Sequence, residues 1–116
     1  MRDFKRLLIW QLGMDIVDKV YDLVLFLPQE EKYGMKSQMT RSATSIPGNI
    51  AEGSAKRSQK DYIRYVEISL GSIFEFETHL LVVQRRKWID EKLIVELLEM
   101  IAQEQKMLQS FIKKLE

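Results

Sequence analysis

SQMTRSATSIPGNIAEG, residues 37–53, is a run of small side chains with a proline near its middle. Its apolar residues recur at steps of three and four, as on one face of a helix. They are Met39, Ala43, Ile46 and Ile50. Pro47 has no N–H to donate to the carbonyl four residues earlier, which costs a helix roughly 3 kcal/mol. A loop-like break that turns the chain would also fit this proline, but we predict a helix that is kinked at Pro47.

The small polar residues of this stretch share a second face of the predicted helix. Small side chains on an exposed face let another backbone approach closely, and their hydroxyl and amide groups can hydrogen-bond across the contact. A monomeric bundle gains nothing obvious from such a face. We therefore predict a subunit interface formed by Arg41, Ser42, Ser45, Asn49 and Glu52.

Three other segments show helical periodicity. The first has the apolar stripe Trp10, Met14, Val17, Tyr21 and Val24. The third follows Ser58, a predicted N-cap, and has the stripe Tyr62, Val66, Ser69, Ile73, Phe76, Leu80 and Val83. The fourth follows a cap at Asp90 and has the stripe Leu93, Leu97, Ile101, Leu108, Phe111 or Ile112, and Leu115.

These segments are joined by short connections, and no stretch alternates with the period of a β-strand. The sequence therefore predicts an all-α protein, an antiparallel up-down-up-down four-helix bundle with a proline-kinked second helix. We expect one domain over residues 1–116, with helices at roughly 8–26, 35–54, 59–86 and 90–115.

The composition favours a cytoplasmic protein without a membrane partner. The chain has no cysteine, which fits a reducing compartment. It has no uninterrupted apolar run of membrane-spanning length, and Asp15, Asp18 and Asp22 soon follow the apolar patch near its start, which argues against a signal peptide.

Charge is unevenly distributed along the chain, although the net charge is only +1. Residues 32–64 contain seven basic and two acidic side chains, whereas the segments on either side each carry −2. Such a basic region can attract the phosphates of RNA or DNA. We predict phosphate contacts at Lys36, Lys56, Arg57, Lys60 and Arg64; the alternative is a solvated basic face without a ligand.

The residues do not indicate an enzyme, a cofactor or a small-molecule substrate. The one histidine, His79, lies one helical turn after Glu75, but a di-iron bundle needs two Glu-x-x-His motifs. No phosphate-binding loop and no zinc-ligand spacing is present. A further alternative is a protein–protein interaction scaffold with no nucleic-acid binding, supported by apolar residues outside the main stripes. These are Leu7, Leu8, Ile9 and Trp88.

Several short motifs of this sequence also occur together in a known bacterial family, which the chain resembles. They are the LP and YG of the first joint, the Gln38-x-x-Arg41 pair, SIPGNIAEG, Arg57 soon after it, and GSIFEFE in the third helix. With WQLGMDIVDKVYDL they cover nearly the whole chain and resemble the four-helix-bundle proteins encoded in intervening sequences of 23S rRNA genes. The accessory variability protein of diversity-generating retroelements is similar. Thr40 and Thr44 depart from that pattern, since arginine and a small or β-branched apolar residue are common there.

The resemblance implies a four-helix bundle that assembles into a ring, commonly a homopentamer. It also implies a non-enzymatic protein that binds nucleic acid or a nucleoprotein partner through a basic surface. A ribosomal label is sometimes attached to this family, and it rests on gene location. We therefore expect a ring whose partners are its own copies and structured RNA or DNA.

Overall fold

The computed structural model describes residues 2–116 as an all-helical fold. Its α-helices are α1 (Leu8–Leu23), α2 (Met35–Ser54), α3 (Gln59–Arg86) and α4 (Glu91–Leu115). Short 3-10 turns lie at Phe4–Arg6, Val24–Phe26 and Gln29–Glu31. The helices pack into a bundle measuring 43 × 24 × 20 Å, so the predicted four-helix bundle is confirmed. Within residues 2–116, no helix combines the length and apolar character needed to cross a bilayer.

The helix ends follow the local chemistry of the chain. Ser58 caps α3, since its hydroxyl accepts a hydrogen bond from the Asp61 N–H at 3.1 Å. Asp90 caps α4 in the same way, accepting from the Lys92 N–H at 3.2 Å. Between these helices Lys87 adopts a left-handed conformation with φ of 58°, which ends α3 and reverses the chain within a few residues.

Pro47 lies inside α2, which runs from Met35 to Ser54 without interruption. The loop-like break is therefore excluded, while the predicted kink stays a prediction. Pro47 is buried, and the carbonyl of the preceding Ile46 accepts a hydrogen bond of 2.7 Å from the hydroxyl of Ser69 in α3. This bond gives the buried Ser69 hydroxyl a partner and fixes α3 against the middle of α2.

The buried face of α3 consists of the seven residues of the predicted stripe. The stripe predicted for the first helix is only partly right: Val17 and Val24 are buried and Trp10 packs against the core. Met14 and Tyr21 are exposed, with 37% and 52% of their surface accessible. The buried residues of α1 are instead Ile9, Gly13, Ile16, Val17, Val20 and Leu23. The error arose because α1 has apolar residues on two faces. The buried face includes Gly13, which has no side chain and so does not show up as an apolar position in the sequence.

Gly13 faces an unusual residue, the buried carboxyl group of Glu104 in α4. A Cβ on Gly13 would lie 3.1 Å from Glu104 Oε2 and 3.5 Å from Pro47 Cβ, so the missing side chain leaves room for the carboxyl. Glu104 has no exposed surface, and neither of its oxygens has a hydrogen-bond partner among the described residues. Because burial disfavours the ionised form, it raises the pKa of Glu104 to about 8.

Glu104 should therefore make stability depend on pH. Between its ordinary pKa of 4.5 and its folded pKa of about 8, the folded protein holds a proton that the unfolded chain releases. The free energy of unfolding then falls as pH rises through this window, by about 1.4 kcal/mol per unit. Methionine at position 104 does not titrate, so E104M should not show this loss. The difference in free energy of unfolding between E104M and the wild type should therefore be about 3 kcal/mol larger at pH 8 than at pH 5.

Urea unfolding at the two pH values measures this difference. Glu99, an exposed residue of the same helix, provides the matched control, and E99M should keep the pH dependence of the wild type. If E104M and the wild type lose stability in parallel as pH rises, Glu104 is not the titrating group.

Candidate nucleic-acid interface

One end of the bundle brings together the start of the chain, the α2–α3 joint and the end of α4. The Arg2 guanidinium donates hydrogen bonds to the carbonyls of Ser54, at 3.3 Å, and Lys56. The Gln59 side chain donates to the carbonyl of Leu115 at 2.9 Å. We name this the basic end. It carries the cations Arg2, Lys5, Arg6, Lys56, Arg57, Lys60, Arg64, Lys113 and Lys114 and the acidic residues Asp3, Glu52, Asp61 and Glu116.

Four of the five predicted phosphate-contacting residues lie at the basic end. Arg57, Lys60 and Arg64 are exposed, and Lys56 is half-buried. Within residues 2–116, none of the four lies in a salt bridge, so no carboxylate oxygen is within 4 Å of their charged groups. Cations that are not paired internally are free to contact phosphates.

Lys36, the fifth predicted residue, does not belong to this group. It lies in the first turn of α2, next to Lys32 and Pro28 at the opposite end of that helix. From Lys36 to Ser54, α2 extends over about 27 Å. Lys36 is therefore not part of the same group of cations, and its contact with phosphate stays a prediction.

An aromatic ring that the sequence analysis missed lies among these cations. Lys56 Nζ is 4.7 Å and Arg64 Cζ is 5.5 Å from the centre of the Tyr65 ring. Both distances are within the range of cation–π attraction, so the half-buried ring helps to position the two charges. We name Lys56, Arg57, Lys60, Arg64 and Tyr65 the joint cluster.

The position of Tyr65 depends on Gly53 at the end of α2. A Cβ on Gly53 would lie 2.7 Å from Tyr65 Cβ and 3.3 Å from the backbone carbonyl oxygen of Tyr62. Only a glycine lets the two helices meet this closely. The sequence signal for the contact was Gly53, which follows Ile50 by three residues and so continues the apolar spacing of α2. Two tyrosines follow early in α3.

The predicted subunit interface needs one correction, at Ser42. This residue is fully buried, and its hydroxyl donates to the carbonyl of Gln38 at 2.8 Å, so it cannot face a neighbouring subunit. It lies three residues after Met39 and four before Ile46, on the core side of α2. A serine is tolerated there because its hydroxyl is satisfied within its own helix.

Arg41 is exposed and forms a polar cluster with α3. Its guanidinium donates to Glu75 Oε2 and, at 2.9 Å, to Gln38 Oε1, while His79 Nε2 lies 3.4 Å from Glu75 Oε2. Burial would raise the pKa of Glu75, but hydrogen bonds and charges from Arg41 and His79 outweigh this and lower it. In residues 2–116 no group of three or more acidic or histidine side chains is arranged to hold a metal.

The remaining predicted interface residues give α2 a level outer surface. Ser45 and Asn49 are half-buried, and their side chains donate to carbonyls of α2 itself, at 2.9 and 2.8 Å. Glu52 is exposed, and a Cβ on Gly48 would meet nothing within 4 Å. Ser45, Gly48 and Asn49 therefore keep the middle of this surface close to the helix backbone, between the longer side chains of Arg41 and Glu52.

An exposed apolar row on α3 adjoins this surface. Ile68 and Val82 lie seven residues before and after Glu75, on the side of α3 that Arg41 of α2 contacts. They are 44% and 38% exposed. The sequence analysis did not assign them to any surface, since it followed the core stripe of α3 alone.

The chain belongs to the 23S rRNA-intervening sequence protein family, whose model matches residues 5–110. It is also similar to a crystal structure from Bacteroides thetaiotaomicron, of a protein with unknown function from the S23 ribosomal protein family. The two chains share 28% identity and superpose with a TM-score of 0.84, covering 91% of this chain and 99% of that one. No curated protein shows significant similarity to this chain.

Gly53→Ala tests the close contact that positions Tyr65. The added Cβ has to displace backbone or the root of a side chain, which should lower the free energy of unfolding by about 1–3 kcal/mol. Gly71→Ala in α3 is the matched control, where open space and better helix propensity should raise stability by about 0.5–1 kcal/mol. Urea unfolding at neutral pH measures both. Equal effects of the two substitutions would contradict the contact.

Proposed function

We propose that the protein is a non-enzymatic, ring-forming helical bundle of the cytoplasm that binds structured RNA or DNA, or a nucleoprotein, through its basic ends. The observation that carries the proposal is the joint cluster: four cations without an internal salt bridge, two of which, Lys56 and Arg64, lie against the ring of Tyr65.

The joint cluster suits recognition of the phosphate backbone rather than of base sequence. Lysine and arginine contacts to phosphate release counterions, so affinity comes from charge and falls steeply with salt. One subunit offers only a few such contacts. A ring repeats the cluster on every subunit, and simultaneous engagement of several clusters multiplies a weak local affinity. This is why assembly and nucleic-acid binding belong to the same proposal.

We propose that the ring, a homopentamer, forms through the level surface of α2 and the apolar row of α3. Ser45, Gly48 and Asn49 allow close approach, and Ile68 and Val82 supply apolar area that is otherwise left in water. A ring needs a head-to-tail contact, in which this surface meets a different surface of the next subunit.

A protein–protein interaction scaffold without nucleic-acid binding is the second candidate. It is favoured by the further exposed apolar residues of α3, Phe74 and Leu81, which are 46% and 40% exposed. Apolar side chains in this arrangement fit a protein partner better than a phosphate backbone. The experiments below separate the two candidates.

Reversing two charges of the joint cluster should abolish nucleic-acid binding and leave the assembly intact. In R57E/K60E, binding of a labelled RNA hairpin and a labelled duplex DNA should weaken by at least about tenfold at about 50 mM salt. Fluorescence anisotropy measures the affinity, and wild-type binding should also weaken strongly between about 50 and about 200 mM salt.

The matched control reverses two exposed arginines near the other end of α3, in R85E/R86E. This variant has the same change in net charge and should bind the nucleic acid as the wild type does. Equal losses in the two variants would show that only net charge matters. If the protein forms an oligomer but binds neither nucleic acid at low salt, the protein–protein interaction scaffold is the better proposal.

Blocking the level surface of α2 should reduce the size of the assembly. Ser45→Trp places a large ring where close approach is required, and Ile68→Glu places a charge in the apolar row, so both should shift the mass from a pentamer toward the 13.7 kDa chain. Light scattering measures the mass. Val95→Glu, a change of an exposed apolar residue on α4, is the control and should keep the wild-type mass. If S45W and I68E both keep that mass, the interface lies elsewhere.

A further inference from the structure

A groove of about 500 Å³ lies between the start of α1 and the end of α4. Its apolar wall includes Leu7, Met107 and Phe111. Its cations are Arg6, Lys106 and Lys114. We name it the α1/α4 groove. The volume is in the range of ligand-binding clefts, and an apolar wall with a few placed charges is typical of them.

The charged side chains that line the α1/α4 groove are all cations. No acidic residue lines it, and within residues 2–116 neither Lys106 nor Lys114 forms a salt bridge. Arg6 has only an exposed pair with Asp3, at 3.6 Å, which contributes little. The groove therefore complements a ligand that combines an apolar surface with negative charge.

A second hollow of about 260 Å³ continues the groove along the same two helices and shares Leu8 and Met107 with it. Leu8 is 68% exposed, an apolar ridge between the two hollows. The second hollow is bordered by Gln11, Gln103 and Asp15 rather than by cations. From Gln103 to Lys114 the path along α4 is about 17 Å, or three helical turns.

The change of lining along this path distinguishes a helix from an anionic lipid. The chain of a lipid held by Lys106 and Lys114 would lie against two glutamines and Asp15, where it loses apolar contact. A helix places apolar side chains in both hollows at a spacing of four residues, and its polar side chains meet the glutamines and Asp15. Acidic residues are favoured in the first turn of a helix, so its N-terminus would lie at the cationic end.

We propose that the α1/α4 groove binds an amphipathic helix of a partner protein, with acidic residues in its first turn against Arg6, Lys106 and Lys114. Apolar side chains of that helix fill the two hollows on either side of Leu8. This site shares Arg6 and Lys114 with the basic end but no residue with the joint cluster, and it does not depend on nucleic-acid binding.

The probe is a labelled peptide of about 16 residues with leucines at helical spacing, glutamates in its first turn and lysines in its last. A control peptide of identical composition has the glutamates and lysines exchanged. Fluorescence anisotropy at about 50 mM salt should show the acidic-first peptide binding at least about tenfold more tightly. Equal binding of the two peptides would overturn the proposed orientation and with it the proposal.

Variants of the protein locate the bound peptide. K106E/K114E should lose at least about tenfold in affinity, and Leu8→Ser should also weaken binding. K92E/K113E is the matched control on α4, because both lysines are exposed and neither lines the groove, so it should bind as the wild type does. Equal losses in the two double variants would overturn the proposal.

Two other occupants of the groove would also be revealed. If K106E/K114E or L8S lowers the mass of the assembly in light scattering, a second copy of the chain covers the groove and the proposal is wrong. Dodecanoate, an anionic amphiphile, tests the other occupant. If the wild type binds dodecanoate, K106E/K114E does not, and neither peptide binds, the groove is a site for an anionic lipid and the proposal is wrong.

Discussion

The close contact between α2 and α3 is the constraint on which the rest of the structure depends. At one end Gly53 meets Tyr62 and Tyr65 so closely that even a methyl group would not fit. In the middle of α2 the Ser69 hydroxyl donates a hydrogen bond to the backbone carbonyl of Ile46, the residue before Pro47. The contact at Gly53 needs a residue without a side chain, and the contact at Ile46 is a hydrogen bond to the backbone. The small residues Ser45 and Gly48 are not part of these contacts and lie on the outer surface of α2.

The proposed functional surfaces follow from that contact. Because α2 ends against the start of α3, the joint between them brings the four cations of the joint cluster to one end of the bundle, with Lys56 and Arg64 against the Tyr65 ring. Because α2 and α3 lie side by side, the outer surface of α2 borders the apolar row, in which Glu75 separates Ile68 from Val82. A ring would repeat both features, so the packing that stabilises one subunit also sets the spacing of its charges in the assembly.

Hydrophobic periodicity predicted the buried face of α3 because the core positions there form an unbroken series. It failed on α1, where Gly13 occupies a core position and the exposed Met14 and Tyr21 form a second apolar face. It also passed over Glu104, since a charged residue is not expected at a core position unless it is held neutral by burial. The joint cluster was predicted only as charges. The role of Tyr65 depends on interhelical distance, which residue spacing does not encode.

The most direct test of the account is to identify which residue touches bound nucleic acid. Acetylation of the lysines with and without a bound RNA hairpin, followed by proteolysis and mass spectrometry of the peptides, makes this measurement. Bound RNA should protect Lys56 and Lys60 of the joint cluster, whereas Lys92, an exposed lysine of α4, should react equally with and without RNA. Unchanged acetylation of Lys56 and Lys60 under saturated binding would contradict the proposed role of the joint cluster.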